Sequence, residues 1–256
     1  MPLLEAKELF GGAYFERPED FEHYALLNSF KYAWEPLKNL GSLLEELLKS
    51  KRQKSASIEG ISDSEQGLFV QDWTTLTAPS YFERSQVWLG EGVILEPTAI
   101  VKGPAVIGDH TAIRQGAYLR GNVLVGRHCV LGHATELKNS VIMDHSEAGH
   151  FNYIGDSILG SYVNMGAGSR LANLQFRTSQ EKEEGFIRPM SLGNEEGAQM
   201  EKMGAVLGDH VELGCNAVIC PGTFIGKHSW VYPNTTVAKG FYPPRHFFRL
   251  REKAKT

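Results

Sequence analysis

The residues best suited to chemistry in this sequence are one histidine, His150, and three polar side chains at fixed distances from it. Arg120, Lys138 and Tyr153 lie 30, 12 and 3 residues from His150. Two cations suit an anionic substrate, for which arginine supplies a planar fork of donors and lysine a point charge. A neutral imidazole with an ordinary pKa of about 6.5 could take a proton from an attacking amine. These side chains indicate acid–base chemistry on an anionic molecule, if the fold brings them together.

A six-residue rhythm is the element that could bring them together. The large residues at steps of six are Leu89, Leu95, Val101, Ile107, Ile113, Leu119, Val125, Leu131, Leu137 and Met143. The residues four positions later are small or β-branched, namely Val93, Ala99, Ala105, Thr111, Ala117, Val123, Cys129, Thr135 and Val141. Period six suits a short strand plus a turn, three of which close a triangular coil of about 18 residues. We therefore predict a stacked prism with the large side chains inside it.

The rhythm is interrupted twice. The step from Met143 to Ile154 is eleven residues and the step from Ile154 to Leu159 is five. Because proteins tend to break their local rules at functional sites, we expect this slip in register to expose His150. The second interruption, residues 175–203, is rich in charge and glycine and predicts a loop or hairpin that contacts substrate or a partner. The rhythm then resumes from Leu207.

The rest of the chain divides around this prism. Residues 1–57 predict a helical segment and linker, because leucines recur at three- and four-residue steps from Leu37 to Leu47. Residues 58–88 predict an irregular lead-in, 89–240 the coil, and 241–256 a basic tail. The helices or the tail could cover the ends of the prism, which a stacked repeat requires.

Composition excludes several classes of function. A net charge of −4 argues against a surface that neutralises nucleic acid or anionic lipid, which needs a basic excess. The start of the chain has no signal-peptide pattern, and no stretch approaches the roughly 20 apolar residues of a spanning helix, so we expect a cytoplasmic protein. The three cysteines, Cys129, Cys215 and Cys220, show no metal or redox spacing, and we interpret them as small apolar fillers.

One stretch resembles a known family. Residues 149–169, GHFNYIGDSILGSYVNMGAGS, are similar to the acetyltransferase half of the bacterial bifunctional enzyme that makes UDP-N-acetylglucosamine, and the landmarks match without gaps from Arg120 to Asn173. The residues after Asn173, the motif 32–35 and the lead-in motif 58–60 more closely resemble the C-terminal part of archaeal-type sugar-1-phosphate nucleotidylyltransferases. The resemblance implies an all-β fold, a left-handed parallel β-helix of hexapeptide repeats with a small N-terminal helical segment.

The resemblance also implies an activity and a site. It implies an acetyl-CoA-dependent N-acetyltransferase acting on glucosamine-1-phosphate or galactosamine-1-phosphate, with His150 as general base. The implied substrate ligands are Arg120, Lys138, Tyr153, Asn164 and, from a neighbouring subunit, Lys202. The implied acetyl-CoA groove is lined by Ala167, Asn173 and Cys215.

The implied assembly is a homotrimer with sites between subunits, and the implied reaction needs no metal. We find no nucleotide-binding glycine-rich loop and expect no uridylyltransferase activity. A separate nucleotidylyltransferase is a possible partner of the helical segment.

Two alternatives from other classes stay open. His128 with His133, and His145 with His150, are each five residues apart, and residues 119–122 resemble a motif of γ-class carbonic anhydrases, which bind zinc through histidines at subunit interfaces. The second alternative is a non-catalytic trimeric partner or regulatory subunit of a sugar nucleotidylyltransferase.

Overall fold

A computed structural model describes residues 13–30, 34–51, 55–192 and 199–249. Tyr32 and Ala33 of the motif 32–35, and residues 250–256 of the predicted tail, lie outside these ranges. The described chain is a three-sided prism of short strands, because each six-residue repeat supplies one strand and one corner. Each of the three faces is a sheet of nine strands.

The strands of each face follow one another along the prism axis. The first face contains β1 (Ile61–Ser64), β2 (Gly67–Val70), β7 (Ile100–Lys102), β10 (Tyr118–Arg120), β13 (Glu136–Lys138), β16 (Tyr153–Gly155), β19 (Arg170–Leu171), β24 (Val218–Ile219) and β27 (Thr236–Val237). The second face contains β4 (Ser80–Phe82), β5 (Val87–Leu89), β8 (Ala105–Ile107), β11 (Val123–Val125), β14 (Ser140–Ile142), β17 (Ile158–Leu159), β22 (Ala205–Leu207), β25 (Thr223–Ile225) and β28 (Phe241–Tyr242). The third face contains β3 (Thr74–Thr75), β6 (Ile94–Leu95), β9 (Ala112–Ile113), β12 (Val130–His133), β15 (Glu147–His150), β18 (Asn164–Met165), β23 (Glu212–Leu213), β26 (Trp230–Val231) and β29 (Phe247–Phe248).

The chain runs through the first, second and third faces in turn, and we name the corners after them. The first corner joins the first face to the second, the second corner joins the second to the third, and the third corner returns to the first. Neighbouring coils pair in parallel, as in Val125 with Ile142 and Leu131 with Ala148. The predicted all-β fold of hexapeptide repeats in a parallel β-helix is therefore confirmed.

The interior of the prism is a continuous apolar core that runs from Leu68 to Val237. It differs from the predicted column at one residue, because Ile142 lies inside the prism whereas Met143 belongs to a second cluster outside it. The shortened steps are therefore Leu137 to Ile142 and Ile154 to Leu159. Both cross the first corner, one coil above the other.

The prediction that His150 lies inside the register slip is wrong for this reason. The interior step that contains it, from Ala148 to Ile154, and the step before, from Ile142 to Ala148, are both six residues long. His150 instead ends β15, directly before the third corner. The irregularity that the sequence reveals belongs to the first corner and not to the histidine.

The outer surface of the second face is covered by the N-terminal helices. These comprise a 3-10 helix (Pro18–Asp20), α1 (Tyr24–Leu27) and α2 (Glu35–Lys51). In α2, Leu37, Leu40, Leu44 and Leu48 are buried, and this stripe belongs to the same cluster as Leu124 of the second face. Burying both sides of this sheet stabilises it by roughly 25 cal/mol per Å² of apolar surface removed from water.

Antiparallel strands close the N-terminal end of the prism. Strand β2 pairs antiparallel with β7, β3 with β6, and β4 with β5. An open edge would offer unpaired backbone groups to other chains, so the lead-in segment acts as a cap. At the other end, β28 and β29 continue the second and third faces beyond the predicted boundary at residue 240.

The excursion between the two runs of repeats contains a short helix, α3 (Ser179–Glu183), and a hairpin of β20 (Met190–Ser191) with β21 (Gln199–Met200). Thr178 and Glu181 form a reciprocal capping box at the start of α3. The chain leaves and re-enters the prism at neighbouring points, since Met203 N donates to Asn173 O at 3.1 Å. No helix within the described ranges is long and apolar enough to span a lipid bilayer.

Candidate active site

The predicted cations lie on the first face at the ends of neighbouring strands. Arg120 ends β10 and Lys138 ends β13, so both point outward at the first corner while the preceding leucines point inward. Arg120 Nη1 donates to Glu136 Oε1 at 2.6 Å, and both side chains are partly exposed. The hydrogen bond that Arg120 donates to Glu136 is the main reason why the pKa of Arg120 is raised. This arginine already binds one carboxylate, which any other anion would have to displace.

A buried carboxylate, Asp156, organises the polar groups around Lys138. Its Oδ2 accepts from Lys138 Nζ at 3.3 Å and from Asn173 Nδ2 at 2.5 Å, and its Oδ1 accepts from Asn139 Nδ2 at 2.8 Å. Tyr153 OH donates to Asn173 Oδ1 at 3.3 Å, and burial raises the pKa of Tyr153. Three predicted site residues, Lys138, Tyr153 and Asn173, therefore share one hydrogen-bond network.

Asp156 was not among the predicted site residues. It follows Gly155 in the stretch that carries the family resemblance, and this Gly-Asp pair is the signal that could have identified it. Since a buried acid is almost always paired, its position beside Lys138 explains why it is tolerated with only 4% of its surface exposed.

Lys202 lies beside Lys138 in the same chain. A cavity of about 740 Å³ at the first corner is lined by Lys138, Asp156 and Lys202, and by Lys38 from α2. The cavity is thus bounded by the prism, the first turn of α2 and the end of the hairpin. Three lysines and two carboxylates, Asp156 and Glu201, line this recess, so lysines outnumber carboxylates by one.

His150 ends β15 on the third face, directly before the third corner, and its side chain is exposed. Its backbone is fixed on both sides, because His150 N donates to Asn152 Oδ1 at 3.0 Å and His150 O accepts from Gly168 N at 2.9 Å. Asn152 is buried and also donates to Gly166 O at 2.9 Å. His133 of β12 is the register partner of His150 in the preceding coil. Among the described residues, no hydrogen bond holds the imidazole of His150, so a substrate can reach it.

The third face carries an apolar groove. A cavity of about 430 Å³ is lined by Asn164, Gly166, Cys215, Trp230 and Tyr232, among others. Asn164 Nδ2 donates to Glu212 Oε2 at 2.9 Å, and Cys215 is exposed. Strands β18 and β23 are each followed by a glycine that lines the groove, Gly166 and Gly214.

The turn from Gly166 to Gly168 offers one backbone donor. Gly166 N donates to Leu213 O and Gly168 N donates to His150 O, at 2.7 and 2.9 Å. Ala167 O accepts from Asn216 N at 2.9 Å, whereas the Ala167 N–H makes no hydrogen bond within the described part of the chain. This amide lies one residue from the glycine that bonds to His150.

The structure therefore divides the predicted residues into two groups. The first face and first corner hold Arg120, Lys138, Tyr153, Asn173 and Lys202. The third face holds His150, Asn164, Ala167 and Cys215. Asn173, expected in the acetyl-CoA groove, bonds instead to Tyr153 and Asp156.

The histidine pairs considered for zinc are also separated. His128 and His145 stack at the second corner with ring centroids 5.0 Å apart, whereas His133 and His150 are register partners at the end of the third face.

Comparisons with known proteins agree with the predicted resemblance. The family model of the GMPPB C-terminal domain matches residues 101–213. A bifunctional sugar-1-phosphate nucleotidylyltransferase/acetyltransferase of Sulfurisphaera tokodaii is 40% identical over 106 residues, which is 41% of this chain and 25% of that protein. The bifunctional protein GlmU of Methanococcus aeolicus is 34% identical over 106 residues, which is 41% of this chain and 24% of that protein.

A solved UDP-N-acetylglucosamine acyltransferase of Francisella novicida aligns over 59% of this chain and 54% of its own, at 16% identity and a TM-score of 0.28, a likeness too distant to argue from. The chain spans about a quarter of the length of the two curated relatives. The resemblance predicted from residues 120–173 is confirmed, since the matched relatives are nucleotidylyltransferase/acetyltransferase proteins of the expected kind.

Proposed function

We propose that this chain is an acetyl-CoA-dependent N-acetyltransferase that acts on an amino-sugar 1-phosphate, glucosamine-1-phosphate or galactosamine-1-phosphate. The observation that carries the proposal is the position of His150. Its side chain is exposed at a rigid corner between an apolar groove on the third face and the cationic network of the first face. The names of the matched relatives support an acetyl transfer.

The two faces divide the work of binding. Arg120 and Lys138 bind the phosphate of the acceptor as a fork and a point charge. Tyr153 and Asn164 orient the sugar from either side of the third corner, and Lys202 adds positive charge at the first corner. The groove beside Ala167 and Cys215 receives the pantetheine arm of acetyl-CoA, which is largely apolar and suits this lining.

The chain's own groups then carry the proton and the charge. His150 accepts a proton from the ammonium group of the sugar, and the freed amine attacks the thioester carbon, forming the C–N bond. The Ala167 N–H donates to the oxyanion of the tetrahedral intermediate. The attacking nitrogen releases its second proton to solvent, collapse of the intermediate breaks the C–S bond, and the imidazolium of His150 returns a proton to the departing CoA thiolate.

A comparison of two histidine variants tests this role. We expect His150→Ala to lower kcat by about 100-fold or more, the contribution that positioned acid–base groups make. His133→Ala removes the register partner one coil away and should leave kcat within about twofold, since it has no assigned step. The assay measures thiol release from acetyl-CoA with each amino-sugar phosphate, and thermal unfolding checks that both variants fold.

Full activity of His150→Ala would refute the assigned mechanism. Acetyl transfer to free glucosamine as efficient as to its 1-phosphate would refute the assigned acceptor class. If the wild-type protein neither transfers acetyl groups nor binds acetyl-CoA in a calorimeter, the non-catalytic partner replaces the enzyme as the function of this chain.

We further propose that the enzyme works as a homotrimer in the cytoplasm, in the synthesis of nucleotide sugars. It would do so without nucleotidylyltransferase activity of its own, and a separate nucleotidylyltransferase would be its partner. Incubation with UTP and N-acetylglucosamine-1-phosphate should therefore release no pyrophosphate.

A further inference from the structure

The second corner carries a ladder of stacked aromatic rings. Six coils place one ring each at the same position, with centroids 4.7 to 5.0 Å apart and planes within 18° of parallel. The ladder consists of His110, His128, His145, Tyr162, His210 and His228. Parallel strands in register produce this stacking, and each ring-bearing residue has a positive φ. The imidazoles consequently form an ordered column outside the candidate active site.

A strap from the N-terminal segment, residues 13–17, lies on the C-terminal end of this ladder. Lys227 N donates to Ala13 O at 3.1 Å and Asp209 N donates to Tyr14 O at 2.8 Å. Glu16 N donates to Asp209 Oδ2 at 2.7 Å. These backbone contacts hold the strap in a fixed position and place the carboxylate of Glu16 against the last two rings.

Three metal-binding atoms meet at this point. Glu16 Oε1 is 2.8 Å from His228 Nε2, and Glu16 Oε2 is 3.8 Å from His210 Nε2. One ligand atom from each residue lies within 4.8 Å of the other two. A cavity of about 390 Å³ lined by Glu16, Asp209 and His210 adjoins the group, so water could complete a coordination shell.

We propose that Glu16, His210 and His228 bind one divalent transition metal ion of the zinc type. Two imidazole nitrogens and one carboxylate oxygen are the donors that such borderline ions prefer, whereas magnesium and calcium prefer oxygen alone. The metal would join the N-terminal strap to two successive coils. Because its ligands come from residues 16, 210 and 228, it would fasten the helical segment to the far end of the prism.

Two features of the present geometry oppose metal binding, namely the separation of the rings and a competing ammonium group. Zinc–nitrogen bonds of about 2.0–2.1 Å in a tetrahedron bring ligand atoms to roughly 3.4 Å, so the parallel rings must tilt toward each other. Lys227 Nζ also lies 3.1 Å from Glu16 Oε1 and competes for the carboxylate as a monovalent cation. Removing this ammonium should therefore strengthen metal binding.

Calorimetric titration of the tag-free, EDTA-treated protein with zinc chloride tests the site. We expect one zinc ion per chain, and we expect His210→Asn and His228→Asn each to weaken binding by more than about tenfold, the loss that even indirect changes at metal sites cause. Asparagine suits these positions, whose φ values are 58° and 57°, because it tolerates the left-handed region. Lys227→Met should tighten binding by about threefold or more.

The matched control is His128→Asn, which removes another ladder imidazole at a φ of 56° without touching the strap. It should change the affinity for zinc by less than about threefold, since residues that are far apart and share no partner are not energetically coupled. The proposal is overturned if wild-type protein shows no saturable binding up to roughly 100 µM zinc. It is equally overturned if His128→Asn weakens binding as much as His210→Asn, because the ladder as a whole would then bind metal without Glu16.

Discussion

The ion pair that Arg120 forms in the free protein directly affects how tightly the proposed substrate would bind. Its guanidinium donates to Glu136 at 2.6 Å, although 42% and 37% of the two side chains are exposed. Pairs this exposed contribute only about 0.2–1 kcal/mol. In the proposed complex a doubly charged phosphate would displace the carboxylate, and Glu136 would lower the affinity of Arg120 for the phosphate without preventing binding.

Substituting this carboxylate should strengthen substrate binding. In Glu136→Gln, Arg120 loses its charged competitor, so we expect the KM for the amino-sugar phosphate to fall by about two- to fivefold with kcat little changed, in line with the worth of an exposed pair. Arg120→Met should raise the same KM. Steady-state kinetics measure both values, and a higher KM for Glu136→Gln would mean that Arg120 does not meet the phosphate.

The cysteine in the third-face groove can be used to test whether acetyl-CoA binds there. Cys215 is exposed in the groove, while Cys129 is enclosed in the prism and donates to Met143 O at 3.1 Å. Burial raises the pKa of Cys129 to about 12. Since only the thiolate reacts, the Cys129 thiol should be inert at pH 8 while the Cys215 thiol is labelled.

Acetyl-CoA should slow the labelling of Cys215 if it occupies this groove. The measurement is peptide mass spectrometry after timed treatment with iodoacetamide, with and without acetyl-CoA. The partly buried Cys220 serves as an internal reference, because it lies on the first face rather than in the groove. Equal labelling of Cys215 in both samples would place acetyl-CoA elsewhere.

The periodicity of the sequence predicts the prism well, but it cannot assign the side of each residue where the period changes. Ile142 and Met143 are both large and apolar, and a step of five or of six is equally compatible with the pattern. The outer apolar layer decides the matter, since the N-terminal helices cover the second face and Met143 belongs to the apolar cluster that they form with it. A sequence pattern that assumes one buried side per strand therefore fails where a sheet is buried on both sides.

The site was predictable only in part for a related reason. The spacing of Lys138 and Tyr153 indicates that they approach one another on adjacent coils, as they do. The hub that joins them, Asp156, sits at a shortened corner with a φ of 48°, and no periodic argument identifies a residue at an irregular position. Lys202 enters through a hairpin whose path the repeat does not specify.

For the whole molecule, the helical layer decides which surfaces remain available. It covers the second face, so the first and third faces, which meet at the third corner next to His150, remain uncovered by the described helices. Near the N-terminal end these faces carry outward apolar residues that are only half-buried in one chain, namely Ile94, Ile100, Ala112, Tyr118 and Val130. A second and third copy of the chain would cover them in the proposed trimer.

A charge placed in this surface should separate the subunits. We expect Val130→Arg to convert the proposed trimer to single chains, because burying an unpaired charge costs several kcal/mol, and to abolish acetyl transfer. Glu91→Arg, at an exposed position before β6, is the control and should stay trimeric. Sedimentation velocity measures the mass, and a trimeric Val130→Arg protein would place the interface elsewhere.

The excursion between residues 173 and 203 has a consequence for the order in which the molecule folds. Leu159 pairs with Leu207, 48 residues further along, whereas Ile107 and Val125 are separated by 18. Closing the longer loop costs about 0.9 kcal/mol more chain entropy. The coils up to Leu171 should therefore assemble first and serve as a template, and the C-terminal coils should be added as a later kinetic event.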